Sequence, residues 1–91
     1  MMIVSYDIAD DKLRGNFAKF LKKFGYRLQY SVYQVKNSKR VLDNITTEIN
    51  TYFGKRFDQT DSVIIFQLSQ QCKKTCFGYA ANDDDELIIV D

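Results

Sequence analysis

The chain has 91 residues, 45% of them apolar and 14% aromatic, with a formal charge of +1 and no histidine. That length holds one small domain with a modest core, so an oligomer is expected, and the missing histidine excludes Ser-His and Cys-His nucleophile pairs and every zinc site that uses imidazole. The near-neutral total hides a segregation: Lys12 to Arg40 carries nine Lys or Arg and no acid, whereas Asp83 to Asp91 carries five acids and no base.

Residues 2–8 read as a strand, with Met2, Val4, Tyr6 and Ile8 on one face and Ile3, Ser5 and Asp7 on the other. Asp10 or Asp11 then caps a helix whose apolar positions are Leu13, Phe17, Phe20, Leu21 and Phe24, with Gly25 suited to the position just past its end. Gly15 costs that helix roughly 1 kcal/mol relative to alanine, which leaves room for the close approach of a neighbour. The run at 26–36 is aromatic and β-branched, and its alternation changes phase; a bulge or turn near Ser31 to Tyr33 would split it into two short strands. A second helix is expected from about Ser38 to Phe53, with Leu42, Ile45, Ile49, Tyr52 and Phe53 as its apolar stripe, Asn37 or Ser38 as cap and Gly54 as stop. A polar loop at 55–61 and a buried strand at 62–68 follow, then an ambiguous stretch at 73–80 and a short late strand at 86–90.

Strand, helix, strand, strand, helix, strand is the order of a ferredoxin-like βαββαβ α+β domain, an antiparallel sheet with both helices on one face and here an additional C-terminal strand. Residues 1–80 form the domain, and 81–91 an acidic connector and strand suited to a partner subunit. By parity Ile3, Val63 and Ile65 are expected on the uncovered face beside Ser5, Asp7 and Gln67, and sheet-to-sheet homodimerisation would hide them. The longest apolar runs, "VIIF" and "LIIV", are far too short to cross a bilayer, and the chain reads as cytoplasmic with no membrane partner. Cys72 and Cys76 lack a second thiol pair for zinc and read as reduced thiols.

Asp7 is the sharpest candidate for chemistry. A carboxylate ending the first strand on the open face would meet its own copy across a two-fold axis, and two facing carboxylates repel unless a proton or a divalent cation lies between them. Mg2+, with Mn2+ as the alternative, suits such oxygen ligands and supports phosphodiester hydrolysis without histidine. Accepting backbone hydrogen bonds at the strand-helix junction is the structural alternative for Asp7. Asp10 and Asp11 read as caps. Lys12, Arg14, Lys19, Lys22, Lys23 and Arg27 lie within the acid-free stretch and are the candidate phosphate-binding residues. Tyr6, Tyr30 and Tyr33 suit either base stacking or core packing, and Ser31 reads as a bend residue. The acidic "NDDDE" at 82–86 lacks the glycine and ligand spacing of a calcium loop.

The stretch "SYDIADDKLRGNFAKFLKKFGYRLQYSVYQ" at 5–34 resembles the opening signature of the CRISPR-associated protein 2 family. Tyr-Asp-Ile comes first, then the Asp-Asp-Lys element, a basic amphipathic helix, a glycine, and Arg-x-Gln-x-Ser-Val with an aromatic. The resemblance implies a ferredoxin-like homodimer with Asp7 at its interface, Mg2+-dependent endonuclease chemistry on RNA or DNA, and a bridging role between subunits of the CRISPR integrase, CRISPR-associated protein 1, on duplex DNA during spacer acquisition. On that basis Asp7 is the expected catalytic and metal-binding residue, with Tyr6, Ser31 and Tyr33 near the site and Arg14 and Arg27 as its basic neighbours. Tyr33 stands where phenylalanine is usual. Gln34 replaces an acidic residue and Asn16 a basic one, departures that bear on cleavage more than on DNA binding. Two other readings are a stand-alone, toxin-like endoribonuclease and, from the fold alone, a small-ligand regulatory domain. The last accounts for neither Asp7 nor the basic stretch.

Overall fold

The computed structural model describes residues 1–69 and Thr75. Strand β1 (Met2–Asp7) leads to helix α1 (Asp11–Leu21), strands β2 (Gly25–Gln29) and β3 (Val32–Val35), helix α2 (Lys39–Glu48), and strand β4 (Ser62–Gln67). The strands form one sheet in the order β2-β3-β1-β4, with all neighbours antiparallel. Both helices bury their apolar stripes on the same face, so the expected βαββαβ ferredoxin-like architecture is present. The stretch at 73–80, the strand at 86–90, the connector and both cysteines lie outside the described residues.

Period-two alternation in β1 sends Met2, Val4 and Tyr6 into the core, where Tyr33 and Val35 of β3 join them. Leu13, Phe17 and Leu21 of α1 and Val41 and Ile45 of α2 close over this layer. Phe17 is its hub, with its ring edge-on to Tyr6 at 5.2 Å and to Phe53 at 4.9 Å between centroids. Such edge-to-face pairs add about 0.5–1.5 kcal/mol each beyond the area they bury. The helix starts follow the sequence: the Leu13 amide donates to the Asp10 carboxylate at 2.8 Å, and the Val41 amide to the Ser38 hydroxyl at 3.1 Å.

Four expectations change. In β4 the parity is reversed, because Tyr6 pairs with Val63 and Val4 with Ile65, and residues paired directly across a ladder share a face. Val63 and Ile65 therefore pack on the helical core, while Ile64 and Phe66 lie on the open face, 52% and 47% exposed. Gly25 does not end α1; it opens β2 opposite Val35, where a Cβ would lie 1.9 Å from the Gln34 carbonyl oxygen. The phase slip at 26–36 resolves into a turn at Tyr30 and Ser31 and a separate bulge between Arg27 and Gln29.

The fourth change concerns the end of the second helix. After Glu48 the backbone widens into a π turn over Ile49–Phe53, and Gly54 donates its amide to the Ile49 oxygen five residues back before a 3-10 turn at Gly54–Arg56. One extra residue in a turn rotates the side chains beyond it by about 100°. Phe53 thereby enters the core and Tyr52, expected on the buried stripe, swings outward to 40% exposure. Gly54 is no stop signal here. A Cβ at that position would sit 2.6 Å from the Ile49 oxygen, so the π turn needs a glycine.

Candidate functional site

The predicted site residues fall on two sides of the sheet. Asp7 ends β1 opposite Ser62, exposed, on the open face with Ile3 and Ser5. Its carboxylate accepts no hydrogen bond from any of the described residues, so the backbone-capping alternative does not apply among them. Tyr6, its neighbour in sequence, is buried on the helical face.

Tyr6 shares that face with Tyr33 and Arg27. The Tyr6 and Tyr33 rings lie 6.3 Å apart and nearly parallel, and the Arg27 Nε donates to the Tyr33 hydroxyl at 3.2 Å with the guanidinium 5.6 Å from the ring centre. Burial, with Tyr33 adding to it, pushes the Tyr6 phenol above its ordinary range. Ser31 takes part through its backbone: its carbonyl accepts the Tyr6 amide at 3.1 Å, tying the β2-β3 turn to the end of β1.

Arg14 is tied down at the end of β1. Its Nη1 donates to the carbonyls of Ile8 at 2.9 Å and Ala9 at 3.3 Å, and its Nη2 pairs with Asp11. The Asp11 hydrogen bond raises its already high pKa, and the guanidinium stays charged. Arg14 and Arg27 therefore brace the end of β1 and the tyrosine pair, whereas Lys12, Lys19, Lys22 and Lys23 are exposed on α1 and the turn behind it. The structure thus gathers Tyr6, Arg14, Arg27, Ser31 and Tyr33 at one end of the sheet, with Asp7 at the same end on the reverse face.

Two residues that sequence reasoning passed over hold this end together. Asp61 Oδ1 accepts the Ala9 amide at 2.9 Å across 52 residues, and its Oδ2 accepts the Asp58 amide at 3.0 Å. Asp58 in turn accepts both the amide and the hydroxyl of Thr60, which hold its carboxyl below the usual range. The signal was available as "FDQTD", a run of turn formers whose carboxylates bind nearby amides. The other missed pair is Tyr52 and Arg56, whose guanidinium stacks 3.8 Å from the Tyr52 ring centre while Nη1 donates to the Tyr52 carbonyl at 2.9 Å.

Among the described residues no three acidic or thiol side chains cluster as a ready metal cage. Asp7 supplies one carboxylate with no partner among the described residues, within the one or two carboxylates that a Mg2+ site with retained waters uses. Nor is any helix among the described residues long and apolar enough to cross a membrane.

Comparison with known proteins bears on this arrangement. The chain is 33% identical over 70 residues to the CRISPR-associated endoribonuclease Cas2 4 of Rhodospirillum rubrum, covering 77% of this chain and 54% of that one. It is 32% identical over 74 residues to the CRISPR-associated endoribonuclease Cas2 1 of Archaeoglobus fulgidus, covering 80% and 76%. The fold matches the crystal structure of hypothetical protein TT1823 from Thermus thermophilus with a TM-score of 0.70 and 26% identity over 87% and 90% of the two chains. Residues 1–76 match the family model described as CRISPR associated protein Cas2, and the chain belongs to that family.

Proposed function

We propose that the chain works as a homodimer, paired through its open sheet faces, that binds the backbone of duplex DNA and bridges subunits of the CRISPR integrase during spacer acquisition. The observation that carries this reading is the composition of the open face: Ile3, Ile64 and Phe66 form an apolar surface bordered by the unpaired Asp7. A surface of that kind matches a second copy of itself, since a two-fold axis through it sets apolar against apolar. The acid-free run of nine cations lies in α1 and the elements after it, and Lys12, Lys19, Lys22 and Lys23 are exposed to meet phosphate.

Nuclease activity is the second part of the proposal, supported by the endoribonuclease names of the relatives. Asp7 from each subunit would hold a single Mg2+ or Mn2+ at the dimer axis, within reach of a scissile phosphate. When bound, the metal supplies Lewis-acid polarisation and an activated water. RNA and DNA both present the oxygens this needs, and a stand-alone endoribonuclease uses the same residue.

Asp7→Asn tests it. The variant is expected to keep its dimer and its salt-sensitive duplex affinity and to lose metal-dependent cleavage. Unchanged cleavage would place the chemistry elsewhere, and loss of the metal requirement would remove the metal from it. Absence of duplex binding by the wild type, alone and with the integrase, would end the bridging role.

A further inference from the structure

An open trough runs along the seam between α1 and the end of α2, on the helical side of the sheet whose open face carries Asp7. One part, about 440 Å³, lies between Lys12, Asn16, Tyr52 and Arg56, and a second, about 270 Å³, continues between Lys19, Lys23, Tyr52 and Phe53. Residues 12, 16 and 19 of α1 sit at 100° steps that bring them within about 40° of one line, and Lys23, in the turn after the helix, lines the same trough. Lys12 and Lys19, about 10 Å apart along the helix, and Lys23 beyond its end form a cationic rail on one wall, and Lys22 lines neither part of the trough.

The opposite wall holds the Tyr52–Arg56 pair, a flat layer of ring and guanidinium made possible by the π turn that rotates Tyr52 out of the core. π turns interrupting a helix occur often at functional sites. A cationic rail facing an aromatic platform is the arrangement that tracks a single nucleic-acid strand, with phosphates on the lysines and a base stacked on the platform. A duplex, with its bases stacked inside, has no use for the platform.

Acids limit where the backbone can run. Asp10, Asp58 and Asp61 line the Lys12 end, so phosphates follow the Lys19–Lys23 half. There Glu48 is the facing acid, and it makes no ion pair with either lysine among the described residues.

We infer that this trough is a nucleic-acid site for single strands, distinct from the Asp7 face, which adds the Tyr52–Arg56 pair to Lys19 and Lys23, two of the lysines proposed above for duplex phosphates. The inference rests on the nucleic-acid reading above and names a further ligand class for it. The test measures fluorescence anisotropy of labelled oligothymidylate, oligouridylate and a blunt duplex against salt. Tyr52→Leu is expected to weaken whichever oligomer binds by about tenfold, with the duplex unchanged. Lys19→Gln with Lys23→Gln lowers the single-strand salt slope by about 1.4, from two phosphates at about 0.7 each, while Lys55→Gln, at an exposed lysine that lines neither part of the trough, leaves it unchanged. Glu48→Gln tightens single-strand binding by ~2-fold, a change of sign that a purely structural role does not produce. Circular dichroism and thermal melting confirm that each variant is folded. Equal losses on duplex and single strand from Tyr52→Leu, or no loss on the single strand, would overturn the inference. A wild type that binds duplex but neither oligomer sinks this site alone; one that binds nothing sinks the parent reading with it.

Discussion

Replacing Phe66 with serine probes the open face directly. Phe66 is 47% exposed and pairs with Ile3 on that face. A phenylalanine carries about 150–250 Å² of surface, so roughly 90 Å² per subunit is left for a partner to cover. At about 25 cal/mol per Å² this amounts to about 2 kcal/mol per subunit and about 4 kcal/mol for a symmetric pair. The dimer dissociation constant should therefore rise by about two to three orders of magnitude. Ile64, 52% exposed beside it, keeps part of the surface apolar, so weakened association rather than its abolition is the expected result.

Serine also removes the half of the ring already covered within the subunit, but that cost does not depend on concentration. Association makes melting temperature rise with protein concentration, and intramolecular packing does not. Sedimentation equilibrium combined with melts over a hundredfold concentration range separates the two contributions. A wild-type monomer throughout that range, or a variant whose dissociation constant moves less than tenfold, would refute the reasoning.

Gly15→Ala should stabilise the protein by about 0.5–1 kcal/mol, read as a higher melting temperature, because a Cβ there meets nothing within 4 Å and the residue lies inside α1; a fall in stability would mean that a partner approaches that turn. Gly25→Ala should cost about 2–4 kcal/mol in urea titration, since β2 and β3 must separate to admit a methyl group; a neutral result would show that the strands are less closely apposed. Tyr6 in the folded chain ionises above its ordinary 10.0, so in the window above that value the unfolded state has lost the proton and the folded state retains it. Its contribution is therefore full below pH 10 and lost as pH rises through the folded value, and Tyr6→Phe should flatten this alkaline decline; an unchanged profile in the variant would assign the decline to other groups.

How much of this was legible in the sequence depended on whether the signal was local. Strand β1 and the capped starts of both helices were readable because a period-two run, Asp10 before Leu13, and Ser38 before Val41 are short-range patterns. The parity of β4 was not, since "VIIF" is apolar at every position and only the pairing with β1 decides which residues face the helices. The π turn likewise gives no warning in composition, and it turns Tyr52 out of the stripe while Phe53 keeps its place in the core. The basic stretch could be counted from the sequence, but its division could not. Arg14 and Arg27 look like any other cations in the chain, and only tertiary contacts reveal that one holds backbone carbonyls and the other a buried phenol.

That division bears on how Asp7 could serve as a ligand while lying exposed. An exposed carboxylate on a loose strand end would sample many positions, and a metal shared across a dyad tolerates little wandering. Here the segment directly after Asp7 is tied down from several directions. Arg14 holds the carbonyls of Ile8 and Ala9, Asp61 holds the Ala9 amide, Asp10 caps α1, and the Ser31 carbonyl holds the amide of Tyr6 just before it. Rigidity is thus supplied by backbone contacts on the helical side, which leaves the side chain on the open side free of any partner among the described residues. Removing the Arg14 guanidinium should accordingly impair the metal-dependent chemistry proposed for Asp7 without touching the metal, by letting the strand end move; removing Lys55, for which no such contact exists among the described residues, should not.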